Sequence, residues 1–374
     1  MRIVMLISSF HPLVGGAERQ AQRLSKKLIE KGNDVTVLTR WHEGLLAKEK
    51  IEGINVVRFK VSKNSKLAPL IYLIKVLKYV RENKANIDIV HAHALSAPGI
   101  SAAFISKFFK IPSIAKIAGG GGKDGCEIVR MRKSGKIGEM KVDFLKKHLD
   151  LFIAISKSIE KDLLDSEIEQ NKIVFLPNGI DFNNFYSNNA SPNEIFKFVY
   201  IGRLEKIKGI DVLLSAWEAL SDDFKQRNQL VIAGEGKERI LLKGIQKDNI
   251  KYIGKQNDIL SLLNSSDVFL LPSRYEGISN ALLEAMATER IIIASNVGGN
   301  IDLINNNNNG LLFESENVND LIDKITYVSE NRERLTKMKK EARNTLKDNY
   351  DLQKNVNRYI EIYSRLANPG ENRS

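Results

Sequence analysis

Residues 272–287 combine a turn, two carboxylates and the start of a helix. Glu276-Gly277-Ile278-Ser279-Asn280 follows an apolar run that ends at Leu271, and a helical pattern then continues to Ala287. A strand, a tight turn and a helix leave backbone N–H groups free at the helix N-terminus, where an anion such as a diphosphate binds. Glu276 lies in the turn, where its carboxylate can accept hydrogen bonds from sugar hydroxyls.

Glu284 lies eight positions after Glu276, on the predicted helix. A carboxylate accepts paired hydroxyl groups well, so Glu284 can bind the diol of a ribose. A charged helix residue is also commonly a solvated surface residue, and Gly277 fits simple turn chemistry. The sequence leaves both interpretations open.

A second loop, rich in cations, follows the apolar run Phe196–Ile201. It reads Gly202-Arg203-Leu204-Glu205-Lys206-Ile207-Lys208-Gly209. Arg203 offers a bidentate guanidinium and Lys208 a compact point charge, and together they could neutralise a diphosphate leaving group. The alternative is a solvated basic loop on the surface.

Two further motifs lie near the ends of predicted strands in the first half of the chain. Gly15-Gly16 precedes the first helical pattern, and paired glycines let the backbone approach a phosphate or sugar closely, although a structural turn fits equally well. His91 and His93 are two positions apart in a strand and therefore share one face. A core histidine is commoner than a catalytic one, so one of the two is expected to be structural.

The sequence argues against a metal site and a bound cofactor. Asp-x-Asp, the common metal-holding carboxylate pair, does not occur anywhere in the chain. His91 and His93 are too few for a convincing metal site, and the single cysteine, Cys126, excludes a disulfide within the chain and a cysteine-rich metal centre.

Composition indicates a soluble globular protein with an uneven charge distribution. The chain has 374 residues, 43% hydrophobic and 27% charged, and a net charge of +12. Residues 1–185 carry that entire excess, which favours an anionic partner such as a membrane surface, a nucleic acid or an acidic substrate. No run approaches the length of a membrane span, and the N-terminus reads as a buried strand rather than a secretory signal.

Alternating strand and helix patterns predict two α/β domains, each with a doubly wound parallel sheet. Strand-like runs include Ile3–Ile7, Asp34–Thr39 and Ile87–Ala92, and the pattern restarts at Phe196–Ile201. The Asn/Ser/Pro-rich segment Asp181–Pro192 separates the predicted domains, which span residues 1–185 and 193–350. Ligands of such sheets bind at the carboxyl ends of the strands, so a cleft between facing domains is the expected site.

In their order along the chain, these motifs resemble family 4 of the retaining glycosyltransferases (glycosyl transferases group 1), which have the GT-B fold. The resemblance covers nearly the whole chain. It rests on Gly15-Gly16-Ala17-Glu18, Asp88–His93, Pro177-Asn178-Gly179-Ile180-Asp181, Gly202-Arg203-Leu204, Lys208-Gly209, and Glu276 with Glu284. It implies two Rossmann-like domains facing each other across a cleft, an acceptor domain at 1–185 and a donor domain at 193–350. It also implies a C-terminal helix, 352–374, that packs back on the first domain.

The resemblance further implies a role for each candidate residue. Arg203 and Lys208 are expected to hold the diphosphate of a nucleotide sugar, Glu276 to contact its sugar and Glu284 its ribose. The backbone of Gly15 and Gly16, and the segment Gly277-Ile278-Ser279-Asn280, are expected to approach the donor. His93 and Glu276 are the predicted catalytic residues, with His91 the second choice. The donor is expected to be a UDP-sugar, with no metal or other cofactor.

The chain departs from the family in one segment. Many members carry a Thr-x-His-Gly-like segment after the fourth strand, whereas this chain has Ile114-Ala115-Lys116-Ile117-Ala118-Gly119-Gly120-Gly121-Gly122. The histidine is absent, which affects the acceptor-side contacts. The basic stretch Lys123–His148 that follows is expected to form an acceptor or membrane lip.

The expected function is therefore transfer of a sugar to a glycan, a lipid-linked sugar or another acceptor in cell-surface polysaccharide or glycolipid synthesis. The expected location is the cytoplasm, with peripheral contact to the anionic inner face of the cell membrane. A soluble acceptor is the alternative. A nucleotide-sugar epimerase of the same fold and a basic nucleic-acid-binding protein are the competing functions, although no nucleic-acid-binding motif occurs.

Overall fold

The computed structural model describes residues 1–13, 15–61, 67–117, 119, 125–188, 195–243 and 249–368. Several predictions fall outside these residues: those for Gly120–Gly122, for Lys123 and Asp124 of the basic stretch, for residues 189–192 of the predicted linker, and for residues 369–374 of the predicted C-terminal helix. Within the described ranges, no helix is both long and apolar enough to cross a membrane.

The chain forms two compact units. Unit 1 comprises Met1–Asn178 together with Leu352–Ser374, and unit 2 comprises Gly179–Asp351. The division after Asn178 precedes the predicted linker by a few residues. The last helix belongs to unit 1, although more than 170 residues of unit 2 separate it from the rest of that unit.

The described residues contain fourteen strands. They are β1 Arg2–Leu6, β2 Asp34–Arg40, β3 Lys48–Ile51, β4 Ile54–Phe59, β5 Ile89–His93, β6 Ser113–Lys116, β7 Leu151–Ala154, β8 Ile173–Phe175, β9 Phe196–Ile201, β10 Asn228–Ala233, β11 Ile250–Gly254, β12 Val268–Leu271, β13 Ile291–Ser295 and β14 Leu311–Phe313.

The described residues also contain fourteen α-helices. They are α1 Gly16–Glu30, α2 Ala68–Asn83, α3 Ile100–Phe109, α4 Glu127–Arg132, α5 Lys136–His148, α6 Lys157–Asp165, α7 Ile210–Ala219, α8 Asp222–Arg227, α9 Ile259–Asn264, α10 Asn280–Ala287, α11 Asn300–Leu303, α12 Val318–Glu330, α13 Thr336–Asn349 and α14 Leu352–Ala367.

Unit 1 is built on an eight-stranded sheet in the order β3-β4-β2-β1-β5-β6-β7-β8. All neighbours are parallel except β3 and β4, which form an antiparallel pair that the sequence analysis did not predict. The chain leaves β1 toward β2 on one side and later returns to β5 on the other, so the order of the strands reverses between β1 and β5. Ligands of doubly wound sheets bind at the carboxyl ends of the strands at such a point.

Unit 2 repeats this plan with six parallel strands in the order β11-β10-β9-β12-β13-β14. Its strand order reverses between β9 and β12. Helices α7 and α12 pack together, as do α10 and α13, and the core includes Phe198, Leu270 and Trp217. The strands are nearly continuous apolar runs because helices on both faces exclude water from a parallel sheet. The predicted doubly wound α/β architecture of both halves is confirmed.

The C-terminal helix α14 packs against α1 and β5 of unit 1. Val356, Tyr359 and Tyr363 recur at helical spacing and are buried, which completes the core of that unit. The Asn355 side chain also donates a hydrogen bond to the Pro177 carbonyl oxygen, 3.0 Å away. The hydrogen bond therefore connects, within unit 1, the chain segment that leads into unit 2 and the segment that returns from it.

Loops after the two central strands of unit 2 touch through their backbones. Gly209, which precedes α7, has φ +66°, and a Cβ atom there would lie 1.9 Å from the Pro272 carbonyl oxygen. A side chain at position 209 would meet both a strained backbone conformation and a rigid carbonyl group. Glycine at this position therefore allows the loops after β9 and β12 to approach each other.

This contact predicts that Gly209→Ala destabilises the protein far more than Gly32→Ala. Gly32 has a similar φ of +79°, but a Cβ atom at that position would meet no other atom within 4 Å. The control should cost about 1–2 kcal/mol, the penalty of a left-handed conformation, whereas Gly209→Ala should cost about 3 kcal/mol or more because the clash adds to it. Thermal and urea unfolding of both variants measures the difference. Equal losses would contradict the proposed close packing.

Candidate functional site

Lys208 and Glu276 meet at the point of unit 2 where the strand order reverses. The Lys208 ammonium contacts the Glu276 carboxylate directly, and their side chains are only 16% and 11% exposed. Glu276 also accepts a hydrogen bond from the Ser273 hydroxyl at 3.1 Å. Two residues that are 68 positions apart in sequence therefore form one ion pair at the carboxyl ends of β9 and β12.

Arg274 holds the two loops in this arrangement. Its guanidinium donates two hydrogen bonds to the Asp211 carboxylate, at 2.9 and 2.7 Å, and a third to Glu316 at 2.9 Å. Its backbone N–H donates to the Ile207 carbonyl oxygen at 2.9 Å. The hydrogen bonds to Asp211 are the largest cause of a raised pKa for Arg274 and a lowered pKa for Asp211. Because Ile207 adjoins Lys208, these contacts fix the position of the Lys208 backbone.

The segment from Gly277 to Asn280 leads into α10. Ser279 is the N-terminal cap, and its hydroxyl accepts a hydrogen bond from the Leu282 N–H at 3.3 Å. Gly277 lies against Gly299, where a Cβ atom would be 1.5 Å from the Gly277 carbonyl oxygen. Ile278 is buried beside it. The turn that the sequence predicts here is therefore tightly held by the loop after β13.

Glu284 lies in the middle of α10 and is only 2% exposed. The interpretation of this residue as a solvated helix residue is therefore wrong. A buried carboxylate requires polar partners, because isolated burial of a charge is costly. The burial is compatible with a ligand-binding role without assigning one.

Arg203 is placed differently from Lys208. Its side chain is exposed, and within the described part of the chain its guanidinium has no hydrogen bond or ion pair. Its carbonyl oxygen accepts a hydrogen bond from the buried Tyr200 hydroxyl at 2.8 Å, which holds the loop at the end of β9. The structure therefore does not bring Arg203 into contact with the Lys208–Glu276 pair.

Gly15 and Gly16 precede and begin α1 at the carboxyl end of β1. The Gly15 N–H donates to the Glu18 carboxylate at 3.0 Å, so an acidic side chain caps the helix N-terminus. A Cβ atom on Gly15 would meet only that flexible carboxylate, at 2.7 Å. The local packing thus gives no strict requirement for glycine at position 15.

His91 and His93 form a buried stacked pair on one face of β5, as their spacing predicts. Their ring centroids are 4.3 Å apart with an interplanar angle of 20°. His91 Nδ1 lies 2.7 Å from the hydroxyl of Tyr363, which α14 contributes. This hydrogen bond fits a structural role for His91, and His93 is the last residue of the strand.

Lys116 ends the neighbouring strand β6, where it pairs in register with His93. Its side chain is buried, and its ammonium lies 5.8 Å from the ring centroid of Tyr359. We define His91, His93, Lys116, Tyr359 and Tyr363 as the His-Lys cluster. Three of its buried atoms, His91 Nε2, His93 Nε2 and Tyr359 Oη, have no hydrogen-bond partner among the described residues.

Burial lowers the pKa of each basic group in the cluster, so that both histidines are neutral at pH 7 while Lys116 is still partly charged. Desolvation, followed by the positive charge of Lys116, lowers the pKa of His93 to about 3. The pKa of His91 is also lowered, chiefly by desolvation. Desolvation alone lowers the pKa of Lys116 to about 7. These shifts follow because a charged group loses its hydration when it is buried.

Sequence reasoning missed the residues that support both sites. Arg274 and Asp211 are 63 positions apart, and Tyr363 lies 272 positions after His91, so no local pattern connects them. For the close packing of Gly299 against Gly277, the sequence did contain one signal, the glycine pair Gly298-Gly299 that follows β13. Within the described ranges there is no group of three or more His, Cys, Asp or Glu side chains that could hold a metal ion.

The lowered pKa values predict that acid destabilises unit 1. Below pH 6.5 an unfolded chain protonates its histidines, whereas folded His93 stays neutral to about pH 3, so the unfolded state binds more protons. Stability should fall on acidification through this range by up to about 1.4 kcal/mol per pH unit for each such histidine. Lys116 acts separately, because unfolded lysine binds more protons between about pH 7 and 10.5 and stability should therefore rise with pH there.

Unfolding midpoints of the wild type and His93→Leu from pH 4.5 to 7 test this prediction. The stability of the variant should depend less steeply on pH, because its unfolded state no longer takes up a proton at position 93. His148→Gln, at the less buried C-terminal end of α5, is the control and should keep most of the slope. Identical slopes for His93→Leu and the wild type would contradict the assignment.

Two family models match consecutive parts of the chain. The glycosyltransferase family 4 model matches residues 14–184, and the glycosyl transferases group 1 model matches residues 181–345. A relative is the UDP-Gal:alpha-D-GlcNAc-diphosphoundecaprenol alpha-1,3-galactosyltransferase of Escherichia coli. It is 28% identical over 79% of this chain and 78% of its own length.

Solved structures share the fold across nearly the entire chain. A sucrose-phosphate synthase from Thermosynechococcus elongatus has a TM-score of 0.82 at 18% identity and covers 97% of this chain and 98% of its own. Anabaena Alr3699/HepE, solved in complex with UDP, has a TM-score of 0.80 at 19% identity, with coverage of 97% and 100%. Both unit architectures and the family models agree with the predicted resemblance. The chain belongs to the family 4 glycosyltransferases (glycosyl transferases group 1) and has the GT-B fold.

Proposed function

We propose that this glycosyltransferase transfers a sugar, with retention of anomeric configuration, from a UDP-sugar to a lipid-linked or other glycan acceptor. The Lys208–Glu276 pair carries the proposal, because it combines a cation for a diphosphate with a carboxylate for sugar hydroxyls at the expected ligand edge of unit 2. The activity in the name of the Escherichia coli relative and the UDP complex of the Anabaena protein support the choice of substrates.

In this proposal the donor is bound mainly by unit 2. Lys208 and the exposed Arg203 bind the diphosphate, and the backbone before α10 adds N–H groups directed at the same anion. Glu276 binds the sugar and Glu284 the ribose. A diphosphate competes with Glu276 for Lys208, so donor binding frees the carboxylate to accept hydroxyl hydrogen bonds.

The proposed transfer needs no metal ion, because two cations neutralise the departing diphosphate. The acceptor oxygen forms a bond to the anomeric carbon as the bond to the diphosphate breaks on the same face of the sugar. The acceptor proton passes to a phosphate oxygen of the leaving UDP. Gly16 and His93 of unit 1 are the proposed residues near the reacting groups.

We call Arg203 and Lys208 the diphosphate clamp. Arg203→Ala and Lys208→Ala test its role in a transfer assay over a panel of nucleotide sugars. Each variant should lose about 2–4 kcal/mol of transition-state stabilisation, or about 30- to 1000-fold in kcat/KM, as when another preorganised charge donor is removed. Lys206→Ala is the matched control, since it removes an exposed lysine from the same loop and should remain near wild type. Near-normal turnover of both clamp variants would overturn the clamp, and loss of activity in excess EDTA would overturn metal independence.

We further propose that unit 1 contacts an anionic membrane at the cytoplasmic face, where a lipid-linked acceptor is presented. Exposed apolar side chains occupy the first two turns of two helices: Leu70 and Ile74 on α2, and Ile137 and Met140 on α5, between 50% and 71% exposed. Helix α3 packs against both α2 and α5, so these residues share one face of the sheet. Each helix precedes a parallel strand and therefore begins at the carboxyl edge, next to the ligand-binding ends of the strands.

Lysines accompany this apolar surface. Lys136 and Lys141 flank Ile137 and Met140 on α5, and Lys75 and Lys78 follow Ile74 on α2. Each Lys or Arg near an anionic bilayer contributes about 1 kcal/mol, and this attraction is screened by salt. The combination of exposed apolar side chains and cations favours a lipid surface over a soluble partner.

Vesicle co-sedimentation tests the membrane contact. The wild type should bind anionic vesicles at low salt, bind them less at high salt, and bind neutral vesicles poorly. The double variant Ile74→Ser, Ile137→Ser should lose most of this binding. Phe108→Ser is the control, because Phe108 is 59% exposed but lies in the last turn of α3, at the opposite edge of the sheet. Equal and negligible binding of the wild type to both vesicle types at low salt would overturn the proposal.

A further inference from the structure

Unit 1 contains a buried cation that the proposed donor site does not use. Lys116 is the last residue of β6 and is 5% exposed. It lies beside His93, the last residue of β5, so both side chains are at the carboxyl edge of the sheet. This is the edge at which a doubly wound sheet binds its ligand, and β5 adjoins the reversal of strand order.

The surroundings of Lys116 do not balance its charge. No ion pair within the described ranges includes Lys116, and desolvation is the one cause that shifts its pKa. Its neighbours in the cluster are the uncharged imidazole of His93 and the ring of Tyr359, 5.8 Å from the ammonium. A ring face attracts a cation only modestly, whereas a buried ammonium normally requires an anionic partner.

Unpartnered polar atoms surround the same position. His93 Nε2, His91 Nε2 and Tyr359 Oη are all buried without a hydrogen-bond partner among the described residues. Buried polar groups in native proteins are nearly always hydrogen-bonded, so several orphaned atoms in one cluster indicate a missing partner. The ammonium is only a donor, and a phenol and one nitrogen of a neutral imidazole can also donate, so a partner rich in acceptor oxygens would satisfy these groups together.

We propose that Lys116 is a ligand-binding residue of unit 1 that, together with His93, binds phosphate oxygens of a substrate. Tyr363 positions this pair, because it hydrogen-bonds His91 at 2.7 Å and His91 stacks on His93. Lys116 is also the one charged residue in the segment Ile114–Gly122, where the expected family histidine is missing. The identity of the substrate rests on the proposed function, in which both a UDP-sugar and a diphospholipid-linked acceptor carry phosphates.

Substitution of Lys116 tests the binding of phosphate. Lys116→Met removes the charge with little change in length, and Lys116→Arg keeps a cation. Lys110→Met is the matched control, since it removes an exposed lysine six positions away. Steady-state kinetics with donor and acceptor varied separately should show that Lys116→Met raises the KM of one substrate by about tenfold or more. Lys116→Arg should recover part of that loss, and Lys110→Met should match the wild type.

The substrate whose KM rises identifies the source of the phosphate. A raised donor KM assigns Lys116 to the donor diphosphate, and a raised acceptor KM that disappears with a phosphate-free acceptor assigns it to the acceptor. An acceptor effect that persists without phosphate would overturn the proposal. An unchanged KM for both substrates, with only a shifted unfolding temperature, would also overturn it and leave Lys116 with a structural role.

Inorganic pyrophosphate provides a measurement that does not require turnover. Calorimetry in a Lys208→Ala background, which removes the proposed clamp of unit 2, should show binding that Lys116→Met weakens by about tenfold or more. Equal binding by both proteins, or none by either, would overturn the role of Lys116. If no nucleotide sugar supports transfer, the proposed function is contradicted. Pyrophosphate calorimetry would still test the role of Lys116 in that case.

The positioning role of Tyr363 has its own matched pair of variants. Tyr363→Phe removes the hydroxyl that bonds His91, whereas Ser364→Ala removes an exposed hydroxyl on the next residue of the same helix. Tyr363→Phe should weaken pyrophosphate binding in the Lys208→Ala background, and Ser364→Ala should leave it unchanged. Equal effects of the two variants would exclude positioning through His91.

Discussion

Two neighbouring strands of unit 2, β9 and β12, are followed by connections that depart toward opposite sides of the sheet. The loop after β9 leads through α7 toward β10, and the loop after β12 leads through α10 toward β13. This divergence leaves a crevice at the carboxyl edge of the sheet, and close to the strands the two loops touch through their backbones. Gly209 allows this approach because it has no side chain to meet the Pro272 carbonyl oxygen, and Gly299, in the loop after β13, lies against the Gly277 carbonyl oxygen. The positions of Lys208 and Glu276, which the first two loops carry, depend on this packing together with the contacts of Arg274.

The two units handle buried charge in opposite ways. In unit 2, the cations Lys208 and Arg274 are paired with the carboxylates of Glu276, Asp211 and Glu316. In unit 1, desolvation keeps the histidines of the His-Lys cluster neutral, and Lys116 has no described counter-ion. A paired site keeps its charge without a ligand, whereas an unpaired one gains most from binding an anion.

The sequence predicted the elements with strong local signals. Apolar runs such as Phe196–Ile201 were predicted correctly because a strand buried on both faces must be apolar throughout. The edge strand β3 was missed because the charges in Lys48–Ile51 hide its exposed pattern. Glu276 and Lys208 were singled out from turns and charges, but their contact was not predictable, because it depends on Arg274 and Asp211, which are 63 positions apart. The position of Glu284 on a helix was clear, whereas its burial depends on packing that a single sequence does not reveal.

The discontinuity of unit 1 constrains how the chain is synthesised. Its sheet is complete once Phe175 has emerged from the ribosome, yet its core includes Val356, Tyr359 and Tyr363 of α14. About 170 residues separate Asn178 from Leu352, so at roughly 5–20 residues per second the delay is about 10–35 seconds. During that interval the face of β5 that carries His91 and His93 lacks its covering helix, while unit 2 is a continuous segment that can fold completely. The unit that begins first is therefore the last to acquire its full core, and emergence of α14 from the ribosome is the step that completes it.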